Sequence, residues 1–340
     1  MLCESQAWRS RCNIYHAEML DHPGKARASG PRLEVRVGEG LTISTARAVA
    51  ETIARQLDER PATLWLNLEA VKTVDVVGLA VVAQAVRRAQ RSSTAALVFP
   101  SAAAYRGLVR ARLHQLPLDK RRAWERDAAD AVVHVEPSSP SAEIARTARL
   151  SLTPATWDDL ECLDEWARDD VLEQMVGSEL LAMCRGRGAY DPGFVTEATA
   201  SPTSLTLLIR PAGLHSAPVG FVRLCSVNFA HGFAFLETAI APTHAGRPAW
   251  GIEASRLLSH YAFSALRLHR LEAKVYSHNP SSIDGLKHHG FVLEGRLREA
   301  YMRDGWRTDV LVFGILESEI RVQLASDELR DMGFWPDELA

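Results

Sequence analysis

Residues 244–263 read HAGRPAWGIEASRLLSHYAF. Before them Phe233–Ile240 reads as a strand, and after them Ala254, Leu257, Leu258, Tyr261 and Ala265 recur on one helical face. A helix N-terminus presents unpaired N–H groups and the positive end of the macrodipole, so a tight loop entering one is suited to an anion such as a pyrophosphate. Pro248 removes one donor from that loop. Amides remain at Arg247, Ala249, Trp250 and Gly251, and the Arg247 guanidinium adds a charge that pairs with phosphate. The stretch reads as a weakened but competent anion site.

The same unit continues on both sides. Upstream, Leu150–Leu160 contains Thr156, placed to cap a helix whose first turn is acidic. Ser204–Ile209 and Gly220–Val227 are further apolar strands. Downstream, Leu271–Tyr276 is a strand, Ser281–His289 a helix closed by Gly290, and Thr308–Leu316 a last strand. Its bounds are 148 and 317, with a C-terminal tail over 318–340.

The chain has 340 residues, enough for two cores. The proline- and serine-rich segment Glu136–Ala142 marks the seam, and we place a linker at 137–147. Residues 1–30 are polar and without period, and are left unassigned as a mobile segment. A net charge of −3 gives no reason to expect nucleic acid or an anionic membrane as partner. The longest apolar run, Val76–Val86, is broken by Gly78 and Gln84 and falls well short of the ~20 residues of a span. Five scattered cysteines without a C-x-x-C pair indicate free thiols, no metal and a cytoplasmic setting.

The first unit covers 31–136. Leu33–Val37 alternates as a half-buried strand, Ala46–Leu57 has helical spacing, and Thr63–Leu68 and Ala95–Phe99 are strands around a helix at Val81–Gln90. Strands alternating with helices mean an α/β layered domain. The stretch TLWLNLEAVKTVDVVGLAVVAQAVRRAQ (63–90) resembles the STAS family of regulatory and anti-sigma-antagonist modules. That resemblance implies an Asp followed by two hydroxyl residues and Gly, one hydroxyl being phosphorylated. Here the turn is Asp75-Val76-Val77-Gly78, which has no hydroxyl to modify, so the unit reads as a packing or dimerisation module.

Three segments of the second unit, HAGRPAWGIEASRLLSHYAF (244–263), KVYSHNPSSIDGLKHHGFVLEGRLREAY (274–301) and MRDGWRTDVLVFGIL (302–316), resemble the GNAT acyltransferases, in particular their protein N-terminal and small-amine branch. The expected fold class is therefore α/β and α+β: a STAS-like α/β domain followed by a GNAT mixed-sheet domain. The resemblance implies acetyl-CoA as cosubstrate, held by Arg247, Ala249, Trp250 and Gly251. It implies Glu237 as general base and N–H groups near Ala239 and Ile240 as the oxyanion contact. Asn279 would hold the pantetheine arm or order its loop. Ser282, or a water on it, would protonate the leaving thiolate in place of the usual tyrosine, whose position Leu286 occupies. Glu237 is equally a strand carboxylate and Ser282 equally a helix N-terminal hydroxyl; His288-His289 is read as a helix-end pair.

The expected activity is acetyl transfer from acetyl-CoA to a primary amine, with the amine unspecified and the STAS-like unit serving regulation, a homo-oligomer or a partner protein. The alternative is a non-catalytic assembly protein built on a degenerate GNAT fold.

Overall fold

The structure is a computed structural model that describes residues 30–119, 121, 128–135, 143–212, 217–244, 248–303 and 305–323. The 1–30 segment apart from Gly30, most of the 137–147 linker and the tail beyond 323 lie outside the described residues.

The first unit is a four-stranded parallel sheet, β1 (Arg32–Arg36), β3 (Thr63–Leu68), β5 (Ala95–Pro100) and β6 (Ala131–His134), in the order β5-β3-β1-β6. A short parallel pair, β2 (Gly40–Leu41) and β4 (Thr73–Val74), flanks it. Helices α1 (Ile43–Asp58) and α2 (Val76–Arg91) make the crossovers that parallel strands require, and α3 (Ala102–Arg110) follows β5.

Helix α2 starts at Val76, not at Val81 as the apolar spacing suggests. Asp75 sets that start. Its carboxylate accepts from Gly78 N at 2.9 Å and from Ile43 N at 2.6 Å, so one residue caps α2 and fastens it to α1. Gly78 is required by the close approach of the chain, because a Cβ there would lie 2.1 Å from the Leu41 carbonyl oxygen. Val76 and Val77 are fully buried.

Burial raises the Asp75 pKa to about 6, against the opposing pull of its amide donors. A folded-state pKa above the unfolded one means that the folded chain keeps a proton the unfolded chain gives up. The stability contributed is full below about pH 4 and is lost as pH rises through about 6. The advantage of wild type over Asp75→Asn should thus shrink by about 2–3 kcal/mol between pH 4 and pH 7.5 in urea unfolding. An advantage that is constant or grows with pH would contradict this.

The second unit holds an eight-stranded mixed sheet, in the order β13-β14-β12-β11-β10-β9-β8-β7. Its strands are β7 (Ala145–Arg146), β8 (Leu150–Pro154), β9 (Leu205–Pro211), β10 (Gly220–Asn228), β11 (Phe233–Ile240), β12 (Arg270–Tyr276), β13 (Val292–Arg303) and β14 (Trp306–Leu316). Neighbours are antiparallel except β11 and β12. One face carries four short helices, α4 (Leu160–Ala167), α5 (Asp170–Val176), α6 (Glu179–Arg187) and α7 (Pro192–Thr199), packed on Leu208, Phe221 and Ala239. The other face carries α8 (Pro248–Ser264), packed on Val222, Leu224, Ala234 and Leu236. The period-two alternation of β9–β11 thus feeds two cores at once. Helix α9 (Pro280–His289) packs beside α8, and α10 (Glu317–Gln323) ends the described chain. The α8-side core continues without a break into the core of the first unit. Among the described residues no helix is long and apolar enough to cross a membrane.

Candidate active site

The chemistry of the second unit centres on a parting of strands. β11 and β12 pair in parallel only from Phe233↔Arg270 to Phe235↔Glu272. Beyond that, β11 stays with β10 as far as Ile240↔Gly220 and β12 stays with β14 as far as Tyr276↔Val310, so the two diverge. Arg270 donates to the Gly232 carbonyl and Ala241 to the Val219 carbonyl, which fixes the alternation along β11. Even-numbered residues turn their N–H toward the β12 side and odd-numbered ones toward β10. In the gap, the amides aimed at the opening are therefore those of Thr238 and Ile240. The Ala239 amide, paired with Ile240 in the sequence reading, turns to β10, and Thr238 takes its place.

Glu237 lies on the α4–α7 face at the mouth of this opening. Its cross-strand neighbour is Arg223, 3.5 Å from carboxylate oxygen to guanidinium nitrogen. Arg223 is itself only 2% exposed; it is also bonded to Glu197 of α7 and to Ser204 Oγ at 3.2 Å. The Glu237 Oε1 atom is buried with no hydrogen-bond partner among the described residues. Burial raises the Glu237 pKa; the Arg223 charge and the Ser178 hydroxyl pull it down, and Glu179 pushes it up. Cys225, two residues along β10, is pushed up to about 12 by burial, with Glu237, Glu179 and Glu197 all adding to the effect. Among the described residues, the charges felt at Cys225 are thus those of three carboxylates and one guanidinium.

Helix α8 points its N-terminus at the same place. Pro248 is its first helical residue, where the missing N–H deprives the helix of no bond. Gly246 and Arg247, and the side chain of Ala249, lie outside the described residues. Trp250 is partly buried and meets His244, ring centroids 6.0 Å apart. Gly251 sits directly above the end of β11: a Cβ there would be 3.5 Å from Ile240 Cγ1 and 3.7 Å from Thr238 Cγ2. Ser255 ties the turn down, bonding Thr238 Oγ1 at 2.7 Å and the Gly251 carbonyl at 2.8 Å. A methyl fits at position 251, but a longer acidic chain reaches over the Thr238 and Ile240 amides. Gly251→Glu should weaken acetyl-CoA binding at least tenfold, measured by isothermal titration, because like charge and bulk both oppose a phosphate there. Unchanged affinity would move the site elsewhere.

At the far end of β12, Asn279 is buried and fully employed. It caps α9 by accepting from Ser282 N at 3.1 Å, and its amide donates to Met175 O and to Ser282 Oγ, both at 2.8 Å. Of the two roles expected for it, the bonds made are those of a residue that orders its loop. Ser282 Oγ receives the Asn279 amide, which leaves its own hydroxyl hydrogen to point elsewhere. Gly177, which ends α5 at φ +61°, packs so close to Tyr276 that a Cβ would lie 1.9 Å from the phenol oxygen; the residue must be glycine on both counts.

Comparison with known proteins bears on both units. The profile described as acetyltransferase (GNAT) domain matches residues 149–292, and that of the STAS domain matches residues 25–124. The chain carries a STAS domain followed by a GNAT acetyltransferase domain. The spermidine N(1)-acetyltransferase of Vibrio cholerae serotype O1 (strain ATCC 39315 / El Tor Inaba N16961) is 34% identical over 101 residues, 30% of this chain and 58% of that protein. An uncharacterized N-acetyltransferase p20 of Bacillus licheniformis is 40% identical over 78 residues, 22% of this chain and 44% of that protein. The chain therefore spans less than two thirds of the curated relatives it matches. A crystal structure of spermidine N-acetyltransferase from Vibrio cholerae in complex with CoA and spermine is 22% identical, with a TM-score of 0.41, covering 51% of this chain and 98% of that one.

Within the GNAT domain the fold sets Glu237, Ile240 and Gly251 at one opening, with the Ala239 amide turned away from it, and places Asn279 and Ser282 at the start of the helix that follows β12. Arg223 and Tyr276 stand in this region without having been marked by the sequence pattern as site residues. Arg223 is an arginine inside Gly220–Val227, an otherwise apolar strand, and that misfit was the signal for a buried ion pair. Tyr276 ends β12 on the same side of the sheet as Glu237, its ring 4.1 Å from that of Tyr301; nothing in the strand pattern distinguished it. His288 bonds the Asp284 carbonyl, whereas His289 is buried against Phe291, where desolvation lowers its pKa to about 3.

Proposed function

We propose that the GNAT domain, residues 148–317, is an N-acetyltransferase that moves an acetyl group from acetyl-CoA to a small primary amine, and that it works in the cytoplasm. The observation that carries this reading is the opening between β11 and β12, with the Thr238 and Ile240 amides turned to its edge and a half-buried carboxylate, one oxygen of it enclosed, at its mouth. The opening fits an extended thioester arm: Thr238 and Ile240 offer strand-edge amides, and the absence of a side chain at Gly251 leaves the α8 terminus clear for phosphate.

Each group then has a task. Glu237 takes the proton of the incoming ammonium, directly or through water, which frees the nitrogen lone pair for the thioester carbonyl. The Thr238 and Ile240 amides hold the charge that develops on the carbonyl oxygen. Carbon–sulfur cleavage releases a thiolate, and Ser282 or a water on it returns a proton; a thiol with pKa near ~8.5 needs little such help.

The acceptor class that fits best is a polyamine. Glu237, Glu197 and Glu179 outnumber Arg223 among the charges felt at Cys225, and the V. cholerae relative is by name a spermidine N(1)-acetyltransferase. The test is titration with acetyl-CoA, followed by thiol release with spermidine, an amino sugar and a peptide N-terminus. Binding, and release fastest with spermidine, is the expected result. A chain that binds no acetyl-CoA is an assembly protein, and one that prefers the peptide has a different acceptor.

A further inference from the structure

Helix α2 of the STAS domain is buried on nearly every side: from Val76 to Val86 all its residues are covered. The four-stranded sheet and α1 account for only part of that cover, because a helix on one face of a sheet keeps a solvent side. The GNAT domain supplies the rest. Val76, Ala80 and Gln84 recur every four residues and form one stripe, and both ends of the stripe bond across the domain boundary. Val76 N donates to the Ser201 carbonyl at 3.0 Å, and Gln84 Nε2 donates to the Ala265 carbonyl at 2.6 Å.

These two acceptors belong to the two halves of the proposed active site. Ser201 follows α7, the helix that carries Glu197, the partner of Arg223. Ala265 follows Ser264, the last residue of α8, whose first turn lies against Thr238 and Ile240. The last carbonyls of a helix have no partner within it, so Gln84 acts as a side-chain cap delivered from the other domain. Tyr261, one turn before the end of α8, is buried and feels the Asp75 charge, which places the turn at Asp75 next to the same helix. A helix of 17 residues is a rod of about 25 Å, so fixing one end restrains the other.

We propose that the STAS domain is an internal brace of the acetyltransferase: α2 takes its own chain's GNAT domain as partner, and Gln84 is a positioning residue that sets α8 for coenzyme binding. The proposal rests on the reading of α8 as the coenzyme helix. It also gives the missing hydroxyls a reason. Val76 bonds across the seam and Val77 follows it, both fully buried, so a phosphate on either would have to leave water for an apolar contact.

The experiment uses the full chain and Gln84→Leu, which keeps the volume and removes the donor. Acetyl-CoA affinity is read by titration, and hydrogen exchange is read separately at the last turn (262–266) and the first turn (250–254) of α8. The expected result is a five- to tenfold loss of affinity and faster exchange at both turns. Leu66→Ala, in the STAS core away from the seam, serves as the comparison at a matched loss of thermal stability. Gln84→Leu with wild-type affinity, or faster exchange confined to the last turn, overturns the brace. So does an equal loss of affinity in Leu66→Ala, which would reduce the effect to stability alone. If wild type itself binds no acetyl-CoA, the transferase reading fails, and exchange at the first turn decides the brace by itself.

Discussion

Replacing Glu237 by glutamine should lower turnover by roughly 10²–10⁴-fold, the usual worth of a positioned general base, with acetyl-CoA affinity nearly unchanged. Glutamine keeps the shape of the side chain, and its amide oxygen can still face Arg223, so the strand and the ion-pair region should survive the exchange. What is lost is an acceptor for the ammonium proton. The geometry supports the assignment in two ways. One carboxylate oxygen is buried beside the opening without a well-formed hydrogen bond among the described residues, the Ser178 hydroxyl and the Arg223 charge being what favours its ionised form. Burial also raises the pKa of this carboxyl, which makes it a stronger base than an exposed glutamate. A base works only when deprotonated, so activity should fall as pH drops through a value above the ordinary ~4.3. That acid limb in the kcat/KM profile should disappear in Glu237→Gln together with most of the rate. A variant that keeps full turnover and the same acid limb leaves Glu237 as a structural residue, and the proton would then leave to water.

The division between what the sequence disclosed and what it did not follows from the range of the interactions. Strand alternation at Phe233–Ile240 and helical spacing after Gly251 are local, and they located β11 and α8 and the junction between them. The apolar spacing alone starts this helix five residues past Val76, because the start at Val76 depends on Asp75 reaching Ile43 N, a contact across 32 positions. The direction of the Ala239 amide was beyond a reading of side chains, since it depends on which of two neighbouring strands each N–H faces. The Ser201 and Ala265 contacts of α2 join segments more than 120 residues apart, and no period within either domain reports them.

Arg223→Met should destabilise the GNAT domain by about 3–5 kcal/mol at pH 8, the cost typical of leaving buried charge without its partner. The guanidinium is almost wholly enclosed, with its side chain 3% exposed, and faces Glu197 and Glu237, whose side chains are 18% and 15% exposed. In water a pair of this kind is worth little, but here the guanidinium is enclosed and both carboxylates are mostly withdrawn from solvent. Methionine fills the space of the stem and brings no charge, so the loss measures the two abandoned carboxylates together with the bond to Ser204. The pH dependence fixes the sign of the effect. Without Arg223 the folded-state pKa of Glu237 rises further, because the largest opposing influence on it is gone. A raised carboxyl contributes stability that is present at low pH and lost as pH increases, so the deficit of the variant should be small near pH 4 and grow toward pH 8. Urea unfolding of both proteins at the two pH values measures it. Adding Glu197→Gln to Arg223→Met should recover part of the deficit at pH 8 and little at pH 4, since only the charged form is penalised. A variant within 1 kcal/mol of wild type at pH 8 would mean that water reaches the carboxylates, and the argument for a desolvated base at Glu237 would fall with it.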